Sequence, residues 1–333
     1  MTIFLNILFL LIGMVLLIKG ADFFVSGASA IAKKLKVPSI FIGLTIVALG
    51  TSLPELSVSV TSAISNSVDL SVGNIVGSNL FNMLFILGLV AMFKPVKMAS
   101  STKKIDLPFL VAVTGILMLF GFDMWLDGDA ANKISRIESL MLLIILILYL
   151  YILISNAKKS RRQAKLENPE AILEEQPTEK ELKIWQIVIY VVFGLAAVVF
   201  GGECVATTAK YLALQMGMSE ALVGLTIVAL GTSLPELVTS VIASKKGEND
   251  LALGNVIGSS IMNISLILGS VGLISTAPIS MAIVIDLIIL FVTTLIFTWF
   301  CVKKDNLSKR EGIVLFALYI AYLAFAIIRN YCF

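Results

Sequence analysis

GLTIVALGTSLPEL occupies Gly43–Leu56 and returns, letter for letter, at Gly224–Leu237, an offset of 181 residues. A second pair keeps that offset: VGNIVGS at Val72–Ser78 and LGNVIGS at Leu253–Ser259. Asn82 therefore matches Asn263, and Asp22 matches Glu203. The best-matched segments carry polar residues in apolar surroundings. A duplication that keeps its polar letters in such a setting points to a doubled site more than to a doubled packing unit.

Outward from these motifs, apolar stretches lie at 2–31, 38–64, 70–93, 105–121 and 137–156, then at 184–210, 219–244, 250–275, 280–302 and 311–331. A membrane helix needs about 20 apolar residues, so these are ten candidate spans. Five fall in residues 1–156 and five in residues 184–333, with a polar linker at 157–183 that contains Pro169 and Pro177. The linker is too short and too polar to fold around a core of its own. Because five is odd, the second copy enters the membrane in the opposite sense to the first. Inverted-topology repeats of this kind occur in secondary transporters, with the site near the midplane at the repeat interface. The expected fold is an all-α integral membrane protein of ten transmembrane helices, two inverted five-helix repeats with broken helices at an ion site.

Composition agrees. Of 333 residues, 58% are hydrophobic and 14% charged, and the mean hydropathy is +1.00. A soluble domain carries about 25% charged residues. Histidine is absent, which removes the commonest general base and soft-metal ligand. Cys204, Cys301 and Cys332 are far apart and form no CxxC pair, so neither a disulfide framework nor a thiolate metal site is expected. The opening MTIFLNILFLLIGMVLLIK has no basic segment before its apolar run and reads as a retained first span, not a cleaved signal peptide. Basic residues set the orientation. With the N-terminus outside, 20 Lys and Arg fall on the cytoplasmic side, and only Lys133, Arg136, Lys210 and Arg329 fall outside. The linker is then cytoplasmic, the C-terminus is outside, and the expected location is the plasma (inner) membrane.

The motif chemistry suits a hard cation. Pro54 has no N–H for the carbonyl of Gly50, and Pro235 none for Gly231, so a break is expected in each helix, with freed carbonyl oxygens. In lipid such groups must be satisfied by protein, water or ions. Ala48, Thr51, Ser52 and Glu55 share one helical face, as do Ala229, Thr232, Ser233 and Glu236. Asn74, Ser78 and Asn82 recur every four residues, and Asn255, Ser259 and Asn263 repeat the row. Beside them Gly73 and Gly77, and Gly254 and Gly258, form GxxxG pairs that let helix backbones approach. Carboxylate, hydroxyl, amide and carbonyl oxygens fit Ca2+ and Na+. A carboxylate in the membrane costs about 2.5–3.5 kcal/mol on insertion scales. Neither Glu55 nor Glu236 has a lysine or arginine near it in its own helix, so a bound cation is its expected partner.

The doubled GTSLPE and GN(I/V)(V/I)GS motifs resemble the sodium/calcium exchanger family, within the wider group of cation/Ca2+ antiporters. The close match covers the second, third, seventh and eighth spans, and the five-plus-five layout extends it to the whole chain. The resemblance implies four central helices around the ions and the first and sixth helices sliding across them. Carried over residue by residue, it implies ligands from Ala48 (carbonyl), Thr51, Ser52, Glu55, Ser78 and Asn82. Their mates are Ala229 (carbonyl), Thr232, Ser233, Glu236, Ser259 and Asn263. Some family members carry aspartate at one of the positions equivalent to Asn82 and Asn263; here both are asparagine, which leaves two carboxylates and argues against K+ co-transport. The short linker cannot be the large regulatory loop of animal exchangers, so the resemblance is to a prokaryotic-type minimal exchanger. The transported ions are Ca2+ and Na+, with H+ as the alternative counter-ion; no cofactor, nucleic acid or obligate protein partner is expected.

The nearest rival function is Ca2+/H+ antiport, with Glu55 and Glu236 exchanging protons for metal. A channel fits an inverted pair around a midplane charge less well. An intramembrane enzyme would need a base beside its nucleophile, and none is evident. Asp22 has Lys19 three residues back, a local pairing that competes with a role in ion access. Asp123, Asp127 and Asp129 read as a solvated outer loop.

Overall fold

The computed structural model describes residues 3–65, 68–122, 132–167, 182–217, 229–304 and 306–332. The chain order is α1 (Ile3–Leu35), α2 (Ser39–Ile42), α3 (Ala48–Thr51), α4 (Leu53–Ile64), α5 (Val68–Leu80), α6 (Leu87–Phe93), α7 (Leu107–Phe120) and α8 (Arg136–Glu167). It continues with α9 (Ile184–Gln215), α10 (Ala229–Gly231), α11 (Leu234–Lys245), α12 (Asn249–Met262), α13 (Gly269–Ile274), α14 (Met281–Lys303) and α15 (Lys309–Cys332). Among the described residues seven helices are long and apolar enough to cross a membrane, or eight if Ser39–Thr51 and Leu53–Ile64 count as one bent span. The fourth expected span appears as α7, entered through the π-helical turn Thr102–Asp106. Of the seventh, residues 218–228 lie outside the described residues, as do Asp123, Asp127 and Asp129. α8 runs on to Glu167, so the first part of the polar linker is helical.

The two halves are clipped together by short antiparallel ladders that the all-α expectation did not contain. β1 (Val96–Lys97) pairs with β4 (Asn306–Leu307), and β2 (Lys133–Ile134) pairs with β3 (Ala277–Pro278). Each ladder joins a loop of the first half to a loop of the second. Matching capping boxes follow two of these strands. Ser135 N–H bonds the Glu138 carboxylate and Glu138 N–H the Ser135 hydroxyl, and Ser308 and Glu311 repeat the exchange. Each box satisfies amides that the first turn of a helix leaves unpaired.

The most buried elements are the central ones. The apolar spans Leu70–Phe93 and Asn249–Ile274 are enclosed by the rest of the protein, whereas α1, α8, α9 and α15 turn most of their apolar surface outward. That inverts the pattern of a soluble protein and is what a lipid solvent selects. α1 and α9 form a close pair. A Cβ placed on Gly20 would lie 2.8 Å from the Val198 nitrogen, one on Gly194 2.6 Å from the Phe24 nitrogen, and one on Gly201 2.6 Å from the Leu17 nitrogen. Lipid tails give helices no hydrophobic reason to associate, so this backbone contact supplies the packing. Gly201→Val drives a side chain into the α1 backbone and should lower stability by about 1–3 kcal/mol, the usual cost of overpacking. Thermal unfolding of the purified variant in detergent reads that loss.

Candidate ion-binding site

The break in the second span falls where Pro54 demands it. Ser52 has φ −83° and ψ 7°, outside the helix, and α4 starts with Pro54 in its first turn. The segments on either side diverge by 46°. Gly43–Val47, just before, is π-helical. Wide turns and prolines are the standard sources of helix bends. In the second half Ser233 takes the equivalent conformation, φ −90° and ψ 7°, at the start of α11. Both third-span equivalents pass into π-helix at their last site asparagine: Phe81–Ile86 includes Asn82, and Asn263–Leu268 begins with Asn263.

These breaks bring the two glutamates together. Glu55 and Glu236 are both fully buried, and each glutamate is bonded by a serine of the opposite half. Ser52 Oγ donates to Glu236 Oε1 at 3.0 Å, and Ser233 Oγ donates to Glu55 Oε1 at 2.8 Å. Ser259 Oγ lies 3.4 Å from Glu236 Oε1, and Ser233 lies 3.0 Å from Ser78 Oγ. The Ala48 carbonyl is 3.4 Å from both Thr51 Oγ1 and Ser259 Oγ. Of the residues singled out in the sequence, Glu236 gathers Ala48, Thr51, Ser52, Asn255 and Ser259 into one hydrogen-bonded group, and Glu55, Ser78 and Ser233 form a second. Ala229 opens α10, and its side chain lies outside the described residues. Thr232 Oγ1, both amide atoms of Asn82 and Asn263 Oδ1 are buried without hydrogen-bond partners among the described residues.

The second carboxylate oxygens, Glu55 Oε2 and Glu236 Oε2, also lack partners among the described residues. Buried polar atoms are normally bonded, and a buried carboxylate oxygen without a donor is costly. A cation is the partner that such an array of oxygens fits. Thr51 adds to this. Its single hydroxyl proton has three acceptor-only neighbours, the Val47 carbonyl at 3.1 Å, the Ala48 carbonyl at 3.4 Å and Asn255 Oδ1 at 3.0 Å. Asn255 presents that oxygen because its Nδ2 donates to Ser240 Oγ at 2.9 Å and to the Glu236 carbonyl at 3.4 Å. The Thr51 proton is thus directed to these acceptors, and Ser259 Oγ lies 3.4 Å from the Thr51 oxygen. In the first half Asn74 Nδ2 reaches Ser59 Oγ at 3.3 Å. Ser59 and Ser240 were not read as site residues, although both are serine at the 181-residue offset. Asn79, Thr239, Ser260 and Ser265 were also missed; they lie off the four-residue polar rows.

The second GxxxG pair makes the expected approach. A Cβ on Gly254 would meet the Ile40 carbonyl at 2.6 Å, and one on Gly258 the Leu44 carbonyl at 2.7 Å. Gly73 and Gly77 have no such neighbour among the described residues. α9 covers both broken helices: a Cβ on Gly50 would lie 2.9 Å from Leu195, and one on Gly231 2.6 Å from Ala206. Asp22 does not pair with Lys19. Its carboxylate meets Lys246 Nζ at 2.9 Å, and the same ammonium bonds the Asp22 carbonyl at 2.7 Å and Ser26 Oγ at 2.6 Å. Ser29 donates to Glu248 a turn further on. The tertiary partner wins because the corner after α11 brings a lysine to α1 in better geometry than a same-helix neighbour offers. Glu203 stays exposed, with Thr207 as its hydroxyl donor at 3.1 Å.

Long outward-facing apolar helices around a buried carboxylate pair and its hydroxyls define a membrane protein built to handle a hard cation. Known proteins narrow the class. The sequence profile described as sodium/calcium exchanger protein matches residues 5–155 and 186–328, and the chain belongs to this family. It is a multi-pass membrane protein of a cation/Ca2+ antiporter family. It is 37% identical to the CaxA protein of Alkalimonas amylolytica over 95% of this chain and 96% of that protein. It is 33% identical to the sodium/calcium exchanger MaX1 of Methanosarcina acetivorans over 96% of this chain and 97% of that one. The solved structure of the sodium-calcium exchanger NCX_Mj soaked with Na+ and Ca2+ superposes with a TM-score of 0.81 at 29% identity, covering 96% of this chain and 98% of that chain.

Proposed function

We propose that this protein exchanges Na+ for Ca2+ across the inner membrane by alternating access. The observation that carries this reading is the reciprocal bonding of Glu55 by Ser233 and Glu236 by Ser52, with a buried, unbonded oxygen left on each glutamate. Ca2+ and Na+ compete for oxygens supplied by Thr51, Ser52, Glu55, Ser78 and Asn82, by Thr232, Ser233, Glu236, Ser259 and Asn263, and by the carbonyls of Ala48 and Ala229. With both carboxylates ionised, an empty site resists enclosure in a dry, closed state, whereas a loaded one is neutralised. The carrier therefore changes sides when loaded, which couples the two fluxes. The architecture proposed is ten spans in two inverted five-helix repeats, residues 1–156 and 184–333, joined by the linker 157–183. α1 and α9 move together across the broken helices that α9 covers. The relatives named as sodium/calcium exchangers support the choice of Na+.

The test is Ca2+ uptake into proteoliposomes with Na+ or H+ gradients imposed one at a time. Uptake that follows Na+ at fixed pH is the expected result. Uptake that ignores Na+ and follows the pH gradient would make this a Ca2+/H+ antiporter instead. The orientation has its own check. With the N-terminus and C-terminus outside and the linker inside, single cysteines placed in 157–183 are protected from an impermeant thiol reagent applied to intact cells. Ready labelling there would reverse the topology.

A further inference from the structure

Asn79 bridges the two halves of the chain through two hydrogen bonds. Its Nδ2 donates to the Ser260 backbone carbonyl at 3.2 Å, and its Oδ1 accepts from Asn263 Nδ2 at 3.1 Å. Asn79, Ser260 and Asn263 are all fully buried. Chemistry alone fixes the direction of both bonds. A backbone carbonyl only accepts, so the atom of Asn79 that faces Ser260 is the NH2 group. The opposite atom of that amide is then the oxygen, and it needs a donor. Asn263 can answer only with its own NH2 group. Its remaining terminal atom is Oδ1, which is buried and has no hydrogen-bond partner among the described residues.

We infer that Asn79 is a positioning residue that locks the Asn263 amide with its oxygen outward, so that position 263 offers a cation an acceptor and never an NH2 group. The inference rests on the reading of Asn263 as an ion ligand given above. A flipped Asn263 amide would turn its NH2 group toward the cation and set its oxygen against Asn79 Oδ1, losing the bond between the two asparagines. The lock is one-sided. Asn82, the mate of Asn263, has neither amide atom bonded among the described residues. The residue matching Asn79 in the second half is Ser260, whose Oγ is likewise unbonded. Among the described residues, two copies of one motif thus hold one bonded amide and one unbonded amide, and the two halves are unequal as ligands.

The experiment measures half-saturating Na+ and Ca2+ and the maximal rate in proteoliposomes for Asn79→Leu, Asn263→Ala and the double variant. Leucine has nearly the shape of asparagine but no polar atoms. Asn79→Leu should raise half-saturating Na+ about tenfold, equivalent to roughly 1.4 kcal/mol of lost ligand interaction, with a smaller change in maximal rate. Alanine at position 263 has no amide to orient, so it needs no lock. In the Asn263→Ala background, adding Asn79→Leu should change half-saturation by less than about twofold, the spread of independent sites. Equal losses in both backgrounds would make Asn79 a merely structural residue and overturn the lock. Unchanged half-saturation in Asn263→Ala would instead remove the ligand reading of Asn263, and the purpose of the lock with it. If Asn79→Leu does not fold, Asn79→Ala takes its place. Na+-induced thermal stabilisation of the purified variants in detergent gives the same comparison without transport.

Discussion

Glu55→Gln and Glu236→Gln are each expected to reduce Na+-driven Ca2+ uptake by about 100-fold or more, since removing one member of a buried charge interaction costs about 3–5 kcal/mol. The two losses should be similar in size, because the glutamates are buried alike and each receives its serine from the other half. The stability of the variants should move the other way. Each glutamate carries an oxygen with no donor among the described residues. Neutralising it removes a charge that the fold by itself does not compensate. Without Na+ or Ca2+, the variants should therefore melt at or above the wild-type temperature. A ligand that binds only the folded state raises its stability in proportion to the logarithm of its concentration. Ca2+ should give that rise in the wild type and little or none in either variant. Melting in detergent with and without Ca2+, beside uptake in proteoliposomes, checks both halves of the prediction. Wild-type uptake in either variant would show that its glutamate is not an essential ligand.

Exchange should also respond to membrane potential and ignore K+. One Ca2+ balances the two carboxylates, whereas three Na+ leave the site with one net positive charge. An exchange of three Na+ for one Ca2+ then carries one charge per cycle. Moving one charge through 100 mV is worth about 2.3 kcal/mol, so such a potential should shift the equilibrium Ca2+ ratio roughly 50-fold. An exchange of two Na+ for one Ca2+ would not shift at all. With Asn82 and Asn263 both amides, only Glu55 and Glu236 in the proposed ligand set are acidic, and no third carboxylate is left for K+. Ca2+ flux under a Na+ gradient, with potential clamped by an ionophore and K+ present or absent, decides the point. A flux blind to potential would make the cycle electroneutral, and an absolute K+ requirement would place a further cation in the site.

The first of these results depends on a feature that no linear reading contains. Glu55 and Ser52 share a helical face, which suggests that they serve the same ion. In the structure Ser52 bonds Glu236, and Ser233 bonds Glu55. In the first half the helix stops at Ser52 and restarts at an angle of 46°, and Ser233 takes the matching conformation in the second, so each serine meets the carboxylate of the other half. Asp22 gives the same lesson. Lys19 is its near neighbour in sequence, yet Lys246 is its partner in space.

The sequence by itself determined the class, the duplication and the places of the helix breaks, and it named the oxygen-bearing residues proposed as ligands. Each of these rests on local chemistry: apolar length against bilayer thickness, the missing N–H of Pro54 and Pro235, and oxygen donors on one helical face. Tertiary structure alone decided which oxygens are already bonded and which are free. It showed that α9 lies over both breaks, that short ladders pin the halves together, and that Asn263 donates to Asn79. The physical reason is directionality. A residue's type fixes what it can donate or accept, but which lone pair remains for a cation depends on who faces it, and those neighbours come from the other half of the chain.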